Sequence, residues 1–207
     1  MSKITVIGTG YVGLVTAACL AELGHQVVGM DVDSAKIECL RRSEVPFYEP
    51  GLAEVLTAHK SRLLFTDDPV VAYENGEFIF ICVDTPPTYS GDADLSRVWQ
   101  VIDNLPLSTG EDRVIVTKST VPVGTGAAVK AELAARGFDR LHYASNPEFL
   151  REGCALDDAR HPDRIVVGAD SADIADRVTR LYEGLSCSNI VTTDVASAEM
   201  IKYASNA

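Results

Sequence analysis

Positive charge, paired cysteines and long apolar runs are all scarce in this sequence. Its 207 residues hold 18 Lys and Arg against 30 Asp and Glu, a formal net charge of -12. That balance argues against a nucleic-acid backbone or an anionic membrane as the main partner, because both would be repelled. It leaves room for a phosphate-bearing small molecule, since backbone N–H groups can hold phosphate within an acidic protein. No stretch approaches the roughly 18 apolar residues that a membrane span needs. The apolar opening from Ile4 is broken by glycines and runs into a strand-turn-helix pattern, so it does not read as a leader peptide. The five cysteines, Cys19, Cys39, Cys82, Cys154 and Cys187, form no CxxC pair and are odd in number. They read as reduced thiols of a cytoplasmic protein, mostly small buried hydrophobes, with no metal site among them.

A hydrophobic content of 46% and a charged content of 23% are those of an ordinary globular protein. Apolar runs of strand length recur along the chain: "KITVIG", "QVVGMD", "RLLFT", "EFIFICV", "RVIVTKS", "LHYAS", "RIVVGA" and "NIVTT". Between them lie helical patterns, among them Tyr11 to Leu23, Ser34 to Arg42, Leu95 to Asn104, Ala127 to Arg136 and Ala172 to Glu183. Short, nearly all-apolar strands alternating with helices predict an α/β fold, a Rossmann-like, doubly wound, mainly parallel sheet covered on both faces. The spacing divides the chain into one domain over residues 1–192 and the start of a further helix over residues 193–207, with Thr193 or Asp194 as its cap. On that helix Glu199, Lys202 and Asn206 fall roughly on one face. Taken alone they describe a solvated face with one weak ion pair.

The first unit carries the strongest local signal. Gly8, Gly10 and Gly13 form G-x-G-x-x-G directly after an apolar strand and at the head of a helix. The first glycine permits a tight turn, the second lets the backbone approach a pyrophosphate, and the third allows close helix-strand packing. A second strand follows and ends at Asp31, where a carboxylate can accept both ribose hydroxyls of NAD and would repel the 2′-phosphate of NADP. NAD is therefore the expected cofactor. Lys36 could flank the adenosine or be an ordinary exposed helix lysine, while Asp33 and Ser34 suit the cap of the next helix.

Three further stretches fall at the ends of predicted strands, where open α/β sheets place their ligands: "CVDTPP", "KSTVPVGT" and "SNPEFLREG". With "GTGYVG", "PFYEPGL", "ADLS", "HPDRIVVG" and "AEMIKYASNA" they occur in the order seen in the UDP-glucose/GDP-mannose dehydrogenase family, which the whole chain resembles. "HPDRIVVG" after "FLREG" is closer to the UDP-glucose branch than to the GDP-mannose branch.

The resemblance implies a two-step, four-electron oxidation of a nucleotide sugar, a C6 alcohol becoming a carboxylate through an aldehyde and a cysteine thioester, with two NAD consumed. It implies an NAD shell of Gly8, Thr9, Gly10, Tyr11, Val12 and Gly13 with Asp31, Lys36, Val83, Asp84, Thr85, Pro86, Ser119 and Thr120. Glu148 resembles the family's acid/base residue for thioester hydrolysis, a step that needs water deprotonated beside the acyl carbon, with Thr120 helping to hold that water. Phe149, Leu150 and Arg151 would line the UDP-sugar site, and Glu152 would lie between substrate and cofactor. Glu148 and Glu152 share a face if their loop is helical. Lys202 and Asn206 resemble the pair that faces the sugar C6 oxygen, an ammonium to stabilise a developing oxyanion and an amide to orient it. Asp84 departs from the family pattern, standing where a small or amide residue is commoner. The family nucleophile, a cysteine in a "GGxCxPKD"-type segment, has no match in these residues, so the chain is expected to bind NAD without completing the reaction. The resemblance also implies that a longer parent protein is a homodimer or higher oligomer. Other nucleotide sugars, GDP-mannose or an N-acetylated UDP-hexosamine, and a non-catalytic NAD-binding module are the alternatives.

Overall fold

The eight apolar runs become eight strands of one sheet in the computed structural model, which describes residues 1–74, 76–106 and 112–206. They are β1 (Lys3–Ile7), β2 (Gln26–Met30), β3 (Leu63–Thr66), β4 (Phe78–Ile81), β5 (Arg113–Thr117), β6 (Leu141–Ser145), β7 (Ile165–Ala169) and β8 (Ile190–Thr193). The sheet order is β3-β2-β1-β4-β5-β6-β7-β8. Every neighbouring pair is parallel except β6 and β7, which are antiparallel, so β7 and β8 run against the other six. The order reverses between β1 and β4, and the carboxyl ends of those strands flank a crevice of the kind in which such sheets hold ligands.

Among the described residues the helices are α1 (Tyr11–Glu22), α2 (Ser34–Arg41), α3 (Leu52–Ala58), α4 (Pro69–Glu74), α5 (Ser96–Asp103), α6 (Thr125–Ala135), α7 (Ala155–Arg160), α8 (Ala172–Thr179) and α9 (Val195–Asn206). Alternation along each strand feeds both faces. Phe78 and Phe80 join Ala17, Leu20 and Ala21 of α1 and Ile174 and Val178 of α8 on one side. Ile79 and Ile81 join residues of α4, α5, α6 and the first residue of α9 on the other. A third cluster under α1 gathers α2, α3, α7 and Phe65.

The helix expected over Ala172 to Glu183 is shorter. It ends at Thr179 and tightens into a 3-10 turn over Arg180–Tyr182. That turn buries Leu181, whose carbonyl lies 3.0 Å from Nε2 of His25. The last helix starts where the caps predict: Asp194 accepts from the Ser197 N–H at 2.9 Å and from its hydroxyl at 2.6 Å. Ala207 lies outside the described residues.

Candidate functional site

The glycine turn is built by contacts that only glycine can make. Gly8 has φ +92°, and a Cβ there would meet the Cys82 carbonyl oxygen at 2.7 Å; a Cβ on Gly13 would fall 1.9 Å from the Gly8 oxygen. Gly10 differs, because the nearest atom to a Cβ on it is Asp84 Oδ1 at 3.7 Å. Its face is open to the crevice. Gly10 is also the N-cap of α1 and brings no side-chain cap, so the first N–H groups of the helix are free to hold an anion. The cradle fits a dinucleotide pyrophosphate.

Asp31, at the end of β2, is held from several directions. Its Oδ2 accepts from Thr9 N and Oγ1, each at 2.9 Å, and from Lys36 Nζ at 2.8 Å, while Oδ1 accepts from Asp33 N at 3.1 Å. Burial opposes its charge, but the hydrogen bonds from Lys36, Thr9 and Asp33 prevail and hold the carboxyl below its usual range. Lys36 is thus tied to the carboxylate at the end of β2. Asp33 caps α2 through Lys36 N, as its position suggested, and Ser34 donates to Asp67.

A crevice of about 250 Å³ brings Gly10, Tyr11 and Val12 together with Val83 to Pro86, Ser119 and Thr120. Ser119 Oγ donates to the Val83 carbonyl at 2.6 Å and Thr85 Oγ1 to the Thr120 carbonyl at 2.6 Å, which ties the loops after β4 and β5 together. Asp84, exposed at the rim, is paired with Arg97 at 2.7 Å.

Beside the crevice lies a larger cavity of about 590 Å³, lined by Glu148 to Arg151 and by Lys202 and Asn206 of α9. Glu148 Oε1 and Lys202 Nζ are 2.9 Å apart with both side chains 7% exposed, and Glu148 Oε2 accepts from Leu150 N. Arg164 lies 4.2 Å from the centroid of the Phe149 ring and Lys202 Nζ 5.6 Å from it. Arg151 is exposed at the rim and held by Asp158, with Asn206 exposed nearby at the far end of α9. Thr120 lines the crevice and not this cavity, whereas Glu148 lines both.

Three expectations change. The segment after Asn146 is not helical before Ala155, so Glu148 and Glu152 share no helix face; Glu148 is buried, while Glu152 is exposed and lines neither cavity. The charge of Glu152 still reaches Tyr11, whose hydroxyl is pushed up to about 12 by burial, then by Glu148 and Glu152. The expected face on α9 is not solvated at Glu199 or Lys202, though Asn206 is exposed: Glu199 is 2% exposed and accepts from Gly124 N and Gly126 N at 2.7 Å each, capping α6. Lys202 pairs with Glu148 and not with Glu199. Of the cysteines only Cys19 and Cys82 are buried, each pushed up to about 12 by desolvation; Cys39 and Cys187 are half-buried and Cys154 is exposed. All five are free, and no group of three His, Cys, Asp or Glu suited to a metal occurs among the described residues.

Sequence reasoning overlooked several residues here. Glu49 of "PFYEPGL" is buried and accepts from Gly153 N and Leu156 N, each at 3.1 Å, fixing the turn into α7. Arg164 of "HPDRIVVG" also donates to Ser205 of α9 at 2.9 Å. Both sit inside motifs already singled out, which was the available signal. Tyr182, in the cavity wall, had none.

A switch-point crevice, a glycine cradle at an uncapped helix and an acid at the end of β2 define a Rossmann-type dinucleotide-binding domain. Residues 2–186 match the model of the UDP-glucose/GDP-mannose dehydrogenase family, NAD binding domain, and the chain belongs to that family. It is 43% identical to UDP-glucose 6-dehydrogenase TuaD of Bacillus subtilis, with 100% of this chain and 46% of that protein covered. The UDP-glucose 6-dehydrogenase of Rhizobium meliloti is also 43% identical, over 99% of this chain and 49% of its own. Among solved structures, a UDP-glucose dehydrogenase from Pyrobaculum islandicum superposes with a TM-score of 0.94 at 40% identity, covering 100% of this chain and 49% of that one. GDP-mannose dehydrogenase from Pseudomonas aeruginosa gives 0.93 at 34%, with the same coverages. The chain spans about half the length of the relatives it matches. No described helix is long and apolar enough to cross a membrane.

Proposed function

We propose that this chain is the NAD-binding part of a UDP-glucose 6-dehydrogenase, with residues 1–192 as the cofactor domain and the helix from 193 leading toward the rest of a longer protein. The observation that carries the proposal is the buried Glu148–Lys202 pair, set in a cavity beside the dinucleotide crevice with Glu148 lining both. NAD, when bound, supplies the hydride acceptor. Gly10 and the first turn of α1 seat its pyrophosphate, and Asp31 accepts its ribose hydroxyls while repelling a 2′-phosphate. Lys202 stabilises negative charge developing on the sugar C6 oxygen, and Asn206 orients that group. Glu148 takes a proton from the water that hydrolyses the acyl intermediate, with Thr120 as a second holder of that water. Phe149, Leu150 and Arg151 form the near wall of the UDP-sugar site. The nucleophilic cysteine lies in the part of the longer protein beyond this chain, which by itself binds NAD and forms no product.

Calorimetric titration with NAD and NADP, on wild type and Asp31→Ala, tests the cofactor half of the proposal. Saturable binding of NAD over NADP that weakens in the variant is expected; a folded protein that binds neither overturns it. Turnover of UDP-glucose, GDP-mannose and UDP-N-acetylhexosamines by the full-length protein tests the sugar half. Preference for any sugar but UDP-glucose overturns that half, and UDP-glucuronate formed by the 207-residue chain alone overturns its assignment as non-catalytic.

A further inference from the structure

Lys118 directly follows β5 and is 8% exposed. Its ammonium has no carboxylate partner among the described residues. Its polar contacts are Asn146 Oδ1 at 3.2 Å, the Asn146 carbonyl at 3.4 Å and the Tyr182 hydroxyl at 3.5 Å, with the Tyr182 ring centroid 5.7 Å away. These are long for charge-assisted bonds. Asn146 is otherwise committed, since Oδ1 accepts from Tyr182 at 2.5 Å and Nδ2 donates to the Val166 carbonyl at 2.8 Å. An ammonium buried against neutral acceptors alone is costly, and proteins avoid it unless something anionic comes to meet it.

The position of Lys118 identifies what that is. Two side chains line both the dinucleotide crevice and the larger cavity: Glu148 and Lys118. If the crevice holds the nicotinamide and the cavity holds the sugar, the carbon being oxidised lies where the two spaces meet, because hydride transfer requires contact. Glu148 is already matched by Lys202. Lys118 is left as a positive charge with no carboxylate partner among the described residues, at the place where this reading puts the conversion of a neutral alcohol into a carboxylate.

We propose that Lys118 is the counter-ion of the carboxylate formed at the oxidised sugar carbon, a binding residue that the anionic product engages and the neutral substrate does not. The proposal rests on the nucleotide-sugar reading given above. Asn146 and Tyr182 hold the ammonium at the meeting point without neutralising it, so its charge is available to the ligand. Substrate and product differ by one negative charge at one carbon, and Lys118 discriminates between them.

The test is calorimetric titration of the full-length protein containing this chain with UDP-glucose and with UDP-glucuronate, for wild type, Lys118→Met and Lys118→Gln. Thermal unfolding establishes that each variant is folded, and the glutamine variant keeps a polar group against Asn146 should the methionine variant fail to fold. A loss of about 10-fold in UDP-glucuronate affinity is expected, with UDP-glucose affinity changed by less than about 2-fold. Equal losses for both ligands would reveal a packing role and overturn the proposal, as would unchanged affinity for both. Wild-type protein that binds neither nucleotide sugar overturns the underlying functional reading, an outcome seen before any variant is made.

Discussion

Asp31 concentrates four hydrogen bonds on one carboxylate, from Thr9 N and Oγ1, Asp33 N and Lys36 Nζ. Its folded pKa lies below the ordinary value of about 3.9. The stabilisation is therefore complete above that pH and fades as pH falls through the folded value. Asp31→Asn is expected to be less stable than wild type at neutral pH, and urea titrations of the two should converge as pH drops below about 4. The Glu148–Lys202 pair gives a second expectation at this scale. Lys202→Met alone strands a buried carboxylate at a cost of about 3–5 kcal/mol, and adding Glu148→Leu recovers most of it. Additive losses in a double-mutant cycle of denaturant unfolding would refute that coupling. Gly8, Asp31, Glu148 and Lys202 were legible in the sequence because each stands at a strand end or in a motif of distinctive order. The isolation of Lys118 was not legible, since a cation's lack of a counter-ion is a fact about neighbours distant in sequence.

The elements divide along a similar line. All eight strands could be read from short apolar runs, because burial on both faces leaves little room for polar residues. The short helices α3, α4 and α7 were missed: at six or seven residues they span fewer than two full turns and carry almost no periodic signal. The reversal of β7 could not be read at all, since an antiparallel neighbour has no distinctive sequence in a mainly parallel sheet. Yet the reversal matters, because it starts β7 at the same end of the sheet where β6 stops, and so brings "HPDR" and Arg164 to the cavity. Glu199 is the corresponding device for α9, fastening the helix that bears Lys202 to the loop that bears Thr120. Glu199→Ala should cost about 2–3 kcal/mol, the loss of charged hydrogen bonds in a buried place. Amide exchange should rise at the first turn of α6 and along α9 while α1 and α2 keep their protection. Uniform change across all four helices would argue against a local clamp.

At the scale of the whole molecule, the sheet has two open edges, β3 and β8. On β8, Ile190 is 45% and Val191 41% exposed, and an uncovered apolar edge invites a second strand. The net charge of -12 opposes that approach. Sedimentation of the 207-residue chain is expected to show association that grows with concentration and with salt, as screening removes the repulsion, and that Ile190→Lys suppresses. A monomer under all these conditions would count against the edge as the sticky surface. The clamp by Glu199 has a further consequence for how such a protein comes into being. Its carboxylate meets Gly124 from 75 residues away, so the loop it secures is synthesised long before its fastening. At roughly 5–20 residues per second, a ribosome needs about 4–15 s to cover that interval. The residues that build the glycine cradle, Cys82 among them, are all made before that interval begins, whereas Glu148 and Lys202 meet only after α9 has emerged. A newly made chain thus has the residues of its glycine cradle first and closes its buried ion pair last.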